Sequence, residues 1–167
     1  MKKYKTLILG AIVVGLIVVV VQKWDTKEVV QEGTTPVGEV RELCYIWNTE
    51  GGDKASLRMA IDASQHVTGS YAWLPAQKDS KQGPFVGTAG PVDPKAMART
   101  AELLWTASGE GITNKEELRI MFGEGIASIG MGEMKLREAD GVYVYADPEK
   151  IVYSSNLQQT DCNDPAL

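Results

Sequence analysis

Residues 93–109, DPKAMARTAELLWTASG, can be read in two incompatible ways, and the choice decides whether this chain is purely β or mixed. Local rules favour a helix. Asp93 suits an N-cap, Pro94 the first helical position, and Gly109 the residue just past the end, with Met97, Ala101 and Leu104 on one stripe. Read with a period of two, the same residues put Ala101, Leu103, Trp105 and Ala107 on one face. That reading has to accommodate several alanines, which are depleted in strands.

The flanking sequence has no such ambiguity. Residues 43–48 (LCYIWN) read as a strand closed by the turn residues Thr49 to Asp53. Residues 56–62 alternate Leu57, Met59 and Ile61 with Arg58, Ala60 and Asp62, as a half-buried strand does. In 66–74 (HVTGSYAWL), Val67, Gly69, Tyr71 and Trp73 share a face. Residues 75–84 (PAQKDSKQGP) form a loop by their Pro, Gly and charge content, and 85–89 resume extended structure. Downstream, 117–122 and 127–134 form a hairpin around Gly123-Glu124-Gly125. Strands at 141–146 and 151–155 follow, separated by Asp147-Pro148-Glu149-Lys150. Short strands with frequent turn signals point to a small antiparallel barrel or sandwich. Shifted by 61 positions, Lys54, Leu57, Arg58, Met59, Ile61 and Gly69 fall on Lys115, Leu118, Arg119, Ile120, Phe122 and Gly130, a pattern that similar strand requirements suffice to produce.

Location is set at the other end of the chain. Residues 6–21, TLILGAIVVGLIVVVV, are uncharged and would span roughly 24 Å as a helix, against about 30 Å of hydrocarbon. Trp24 suits the interface and Lys23 can extend outward, which closes most of the gap. A cleaved signal needs a small-residue site soon after the apolar run, whereas Val21 passes straight into Gln22-Lys23-Trp24-Asp25. Lys2, Lys3 and Lys5 lie ahead of the span without an acid, so the expectation is a cytoplasmic N-terminus and an exported remainder. The chain then divides into a cytoplasmic tip and transmembrane anchor over 1–24, a flexible linker over 25–42 and an extracytoplasmic β-domain over 43–167.

Three of the 17 basic residues precede the span, so the rest of the chain carries 14 against 22 acidic residues, a net charge of −8. An acidic domain without basic runs is a poor partner for nucleic acid or anionic lipid. The two cysteines, Cys44 and Cys162, lie near the ends of the expected domain. In an oxidising compartment they read as one structural disulfide rather than a redox pair, which is more often close in sequence.

Few residues offer chemistry. His66 is the only histidine, so with both cysteines bridged no zinc ligand set of nitrogen and sulfur can be assembled within one chain. No cofactor motif is present. Asp79 and Asp147 lack the alternating acidic pattern of a calcium loop. Glu110 and Glu124, each beside glycine near a strand end, are the one candidate carboxylate pair, and a hydrolase of envelope polymer would require them to meet. Tyr71, Trp73 and Trp105 are the candidate binding residues, at a barrel mouth near Lys78 and Asp79, because aromatic rings offer large contact area at little entropic cost. The competing reading of the same three rings is ordinary core.

Residues 67–88 (VTGSYAWLPAQKDSKQGPFVGT), with 116–134 (EELRIMFGEGIASIGMGEM) and 140–153 (DGVYVYADPEKIVY), resemble a group of small exported or membrane-anchored bacterial proteins without assigned activity. The resemblance implies glycine-punctuated strands in a small antiparallel barrel, and therefore a strand over 99–107. The expectation is a mainly β domain, with one short helix around 94–107 as the alternative. Its role would be non-catalytic, binding an envelope protein or small ligand or serving structurally. A carboxylate-dependent hydrolase and an inhibitor of a lytic enzyme, presenting the 75–84 loop, are the other readings. Export makes a direct prediction: protease added outside intact cells removes the C-terminal domain, whereas protection of that domain in intact cells and its loss in inverted vesicles would contradict the topology.

Overall fold

The computed structural model describes residues 39–167. The expected anchor over 1–24, and the linker up to residue 38, lie outside the described residues. Ten strands follow: β1 (Arg41–Asn48), β2 (Lys54–Ile61), β3 (His66–Leu74), β4 (Lys81–Ala89), β5 (Arg99–Gly109), β6 (Ile112–Gly123), β7 (Ile126–Met131), β8 (Met134–Arg137), β9 (Val142–Tyr145) and β10 (Val152–Thr160). A single 3-10 turn at Pro148–Lys150 precedes β10. Arg41 and Glu42, placed in the linker by sequence, already belong to β1.

Eight strands close into an antiparallel barrel in the order β1-β2-β3-β4-β5-β6-β7-β10, with β10 pairing back to β1. The structure is therefore a barrel and not a sandwich. Strand β6 pairs with β5 from Ile112 to Phe122. On its other side only the C-terminal part, Ile120 to Gly123, pairs with β7, while Lys115 and Glu116 take β9 in parallel. The β8–β9 hairpin thus extends the wall beside the closed barrel.

Two of the turns follow directly from sequence. Glu110 and Gly111 have φ of 47° and 80°, and Glu124 and Gly125 have φ of 47° and 81°. These are two-residue loops with both central residues left-handed, the geometry that matches strand twist in a hairpin. Glycine at the second position carries no Cβ penalty there.

Inward-facing residues alternate along the strands: Leu43 and Tyr45, Leu57 and Met59, Val67 and Tyr71, Leu103 and Trp105, Leu118 and Ile120, all buried in one core. Large side chains from one strand need small ones on the next. A Cβ at Gly69 would run into the Arg58 carbonyl and the Phe85 ring, so only glycine permits this approach. The residues that echo one another at 61 positions form the β2–β3 and β6–β7 hairpins, four strands apart in a ring of eight and hence on opposite walls.

The helix suggested for 94–107 is not present; Arg99–Gly109 is an 11-residue strand. The capping chemistry serves a turn instead. The Asp93 carboxylate accepts from the Lys95 backbone N–H at 2.8 Å, the Asp93 N–H donates to the Ala98 carbonyl at 2.8 Å, and Met97 sits at φ 50°, which ends any helical run. Ala101 and Ala107 point into the crowded barrel and are almost wholly buried, so their small size reflects interior volume and not helix propensity.

Cys44 and Cys162 form a disulfide, with Cα atoms 5.2 Å apart. Cys44 lies on the outer face of β1, between inward Leu43 and Tyr45, and is fully buried beneath the tail that carries Cys162. The guanidinium of Arg58, directly opposite Cys44 on β2, donates to the Cys162 carbonyl. The bridge closes a span of 118 residues across the β1–β10 seam. Replacing both cysteines by serine is expected to remove about 2–5 kcal/mol of unfolding free energy, measured by denaturant titration of the full chain. An unchanged midpoint would show that the bridge adds nothing to the folded state.

Candidate functional site at the barrel mouth

The two ends of the barrel differ. At the end where β1 begins, the Arg99 guanidinium lies 5.8 Å from the centre of the Phe122 ring. Its Nε donates to the Gly90 carbonyl at 2.8 Å and its Nη2 to the Gln65 side-chain oxygen. This cation–π contact and its hydrogen bonds brace that end, where a hollow of about 200 Å³ with a largely polar lining lies against Leu43, Tyr45, Arg99 and Phe122.

The opposite end is open. A cavity of about 230 Å³ enters between β3, β4, β5 and β6 on one side and β7, the β8–β9 hairpin and β10 on the other. Tyr71 and Trp105 line it from deep in the barrel, 6% and 5% exposed, with ring centres 5.2 Å apart and planes tilted by 55°. The Trp105 indole N–H donates to the Gly83 carbonyl at 3.0 Å, which fixes the ring. Burial, with the neighbouring Tyr145 adding to it, pushes the Tyr71 hydroxyl well above its ordinary pKa of 10.0, so it stays protonated and neutral. Trp73 is half-buried at the rim and stacks on Trp47, ring centres 5.3 Å apart. Ala55, paired with both tryptophans across β2, leaves the space for that stack.

Charge enters the mouth through the Lys81–Glu116 ion pair and through Glu117, which also lines the cavity and pairs with Arg119. Lys81 follows the inward alternation of β4 (Phe85, Gly83, Lys81), and Glu116 follows that of β6 (Phe122, Ile120, Leu118, Glu116). Their side chains meet at 2.6 Å across the cavity lip, and the Glu116 side chain is only 16% exposed. Partial removal from water strengthens such a pair over an ordinary surface contact. Across from it, the Tyr145 hydroxyl donates to the Gly130 carbonyl at 2.8 Å, and the Tyr145 backbone N–H donates to Glu117 at 3.2 Å. Tyr145 therefore fills the split where β7 leaves β6. In β10 the register slips between Ser154 and Leu157, with Ser155 at φ 57° on the cavity wall. The Ser128 hydroxyl, donating to the Asn156 side-chain oxygen at 2.6 Å, holds this bulge from outside.

Of the residues singled out by sequence, Tyr71, Trp73 and Trp105 do converge on the cavity. Lys78 and Asp79 lie in the exposed connection between β3 and β4 and do not line it. Asp79 instead meets Glu110 of the β5–β6 turn, and sharing a hydrogen bond with that carboxylate raises the Glu110 pKa. Glu110 and Glu124 flank opposite ends of the 12-residue β6, so they do not form a catalytic pair. His66 starts β3 at the end where β1 begins, away from the mouth cavity. Asp147 caps the 3-10 turn by accepting from the Glu149 N–H at 3.1 Å. Among the described residues, no group of three or more His, Cys, Asp or Glu side chains is placed to hold a metal ion. Sequence reading missed Lys81 and Glu116, which continuing the period-two count past Phe85 and Leu118 would have found. It also missed Tyr145, whose place depends on the β6–β9 pairing and had no local signal.

Comparison with protein families, with curated proteins and with solved structures finds no match, so the site is read from its own geometry. The rim carboxylates give a pH prediction. A folded pKa raised above the unfolded value means stabilisation that is present below the unfolded value and lost as pH rises through the folded one. The Glu110 contribution to stability should therefore grow on acidification from neutral pH through the range just above 4.5, the ordinary glutamate value, against the opposite contributions of Asp140 and Asp164, whose pKa values are lowered. Glu110→Gln should show less of that gain, as read from melting temperature against pH; identical pH profiles would contradict the shared proton.

Proposed function

We propose that this chain is a membrane-tethered, extracytoplasmic and non-catalytic binding protein of the bacterial cell envelope, whose barrel mouth holds a small ligand with an apolar body. The observation that carries the reading is the cavity of about 230 Å³, floored by Tyr71 and Trp105 and edged by the Lys81–Glu116 pair. Ligand sites of this kind are concave and mostly apolar, with a few placed polar groups that fix orientation. A barrel packed to both ends would favour a purely structural role, whereas this one is hollow at the mouth, and the mouth is lined more by apolar surface than the hollow of about 200 Å³ at the Arg99 end.

The cellular setting rests on sequence. The apolar run over 6–21 and the lysines ahead of it support an anchor with the domain outside the cytoplasm. The Cys44–Cys162 bridge suits an oxidising compartment. The resemblance to small exported or anchored bacterial barrels agrees with this setting.

The test is extraction of the full chain from native membrane, followed by mass spectrometry of small molecules that accompany it. A consistent compound is expected with the wild type and at least tenfold less of it with Trp73→Ala, a half-buried rim position where truncation spares the core. Equal recovery with both proteins, or nothing above a mock extraction, would overturn the reading.

A further inference from the structure

The cavity does not end at the barrel lip. Met134 and Tyr145 line it, and they face each other in the β8–β9 register. Strand alternation puts Leu136 and Tyr143, the next facing pair on that side, on the same face as Met134 and Tyr145. The β6–β9 pairing agrees, because Tyr143 lies opposite the inward-facing Glu116. Yet Leu136 is 50% and Tyr143 37% exposed, and Met131, at the cavity edge, is 55% exposed. An apolar strip therefore runs out of the cavity along the inner face of the hairpin, while Lys135 and Arg137 take the other face. Contiguous exposed apolar surface of this kind marks an interaction site.

The shape of the space selects the occupant. At about 30 Å³ for a water-sized group, 230 Å³ holds on the order of eight methylene groups, too little for a helix or a protein segment. The strip continues that space in one direction only. Apart from the Tyr71 hydroxyl, the inner walls at Trp105, Leu118 and Ile129 offer apolar surface, and the charges sit at the lip. Building on the reading of the mouth as a binding cavity, we infer that its ligand is a linear apolar chain with one polar end, of the acyl class. The chain enters tail first, its first eight or so carbons fill the cavity, and the next several lie on Met131, Leu136 and Tyr143.

The experiment uses the full chain with Trp24→Phe, held in an amphipathic polymer, so that tryptophan emission comes from Trp47, Trp73 and Trp105. Hexanoate, octanoate, decanoate and dodecanoate are titrated, with uptake by the polymer alone subtracted. Affinity is expected to rise about fourfold per added methylene through dodecanoate, without a plateau at eight carbons. Leu136→Ser combined with Tyr143→Ser is expected to weaken dodecanoate at least tenfold and hexanoate less than twofold. A plateau at octanoate overturns this inference and leaves the cavity reading standing, and that arm needs no hairpin variant. Loss of affinity by an equal factor at every length also overturns it. So does a dimer, seen by light scattering, that Leu136→Ser abolishes while affinity stays flat with length, since a second copy would then cover the strip. No binding of any chain overturns the acyl assignment, and the compound found by membrane extraction then decides separately whether the mouth binds something else.

Discussion

The seam between β1 and β10 is the constraint on which the rest of the structure depends. The two strands come from opposite ends of the described chain and meet at Cys44 with Thr160, Tyr45 with Gln159 and Ile46 with Gln158. Without that pairing, the eight strands form an open sheet with β1 and β10 as raw edges, exposing backbone groups and an apolar inner face. Closure across such a sequence separation carries a large loop-entropy cost and depends on the whole meander being in place first. The disulfide sits beside this seam, on its outer face, where a covalent tie holds together the pairing most costly to form.

Once the ring is closed, its two ends follow from strand length. Strand β6 has 12 residues and its neighbour β7 has 6, so β7 cannot cover the N-terminal half of β6. The β8–β9 hairpin takes over there, and the change of partner leaves a split that Tyr145 fills. The cavity is the space this substitution leaves inside the wall. At the other end, the β6–β7 pairing is intact and Arg99 reaches across the opening; the hollow of about 200 Å³ there, against Leu43, Tyr45 and Phe122, is the more polar of the two.

Much of this could be read from the chain before any coordinates. The period-two alternation in 56–62 and 66–74 put the right faces inward, and the Gly123-Glu124-Gly125 turn marked the hairpin between 117–122 and 127–134. Tyr71, Trp73 and Trp105 were legible as a group because each occupies an inward position near a strand end. The local helix reading at 93–109 is instructive, since its N-terminal signals, Asp93 and Pro94, are real and are used by a tight turn before β5. Alanine in a small barrel answers to interior volume, which no window of local sequence contains. Tyr145, Ser155 and the hairpin wall were invisible for a related reason: their positions follow from a parallel pairing and a bulge that depend on distant strands.

Every feature of the site depends on ring closure, because the Arg99-braced end, the split wall and the hollow mouth exist only in a closed barrel. Cross-strand proton contacts in the isotope-labelled full chain test it most directly. Backbone contacts between Tyr45 and Gln159, with β10 amides protected from exchange as strongly as those of β3, are the predicted result. Their absence, with rapid exchange along both β1 and β10, would mean an open sheet and no cavity to bind anything.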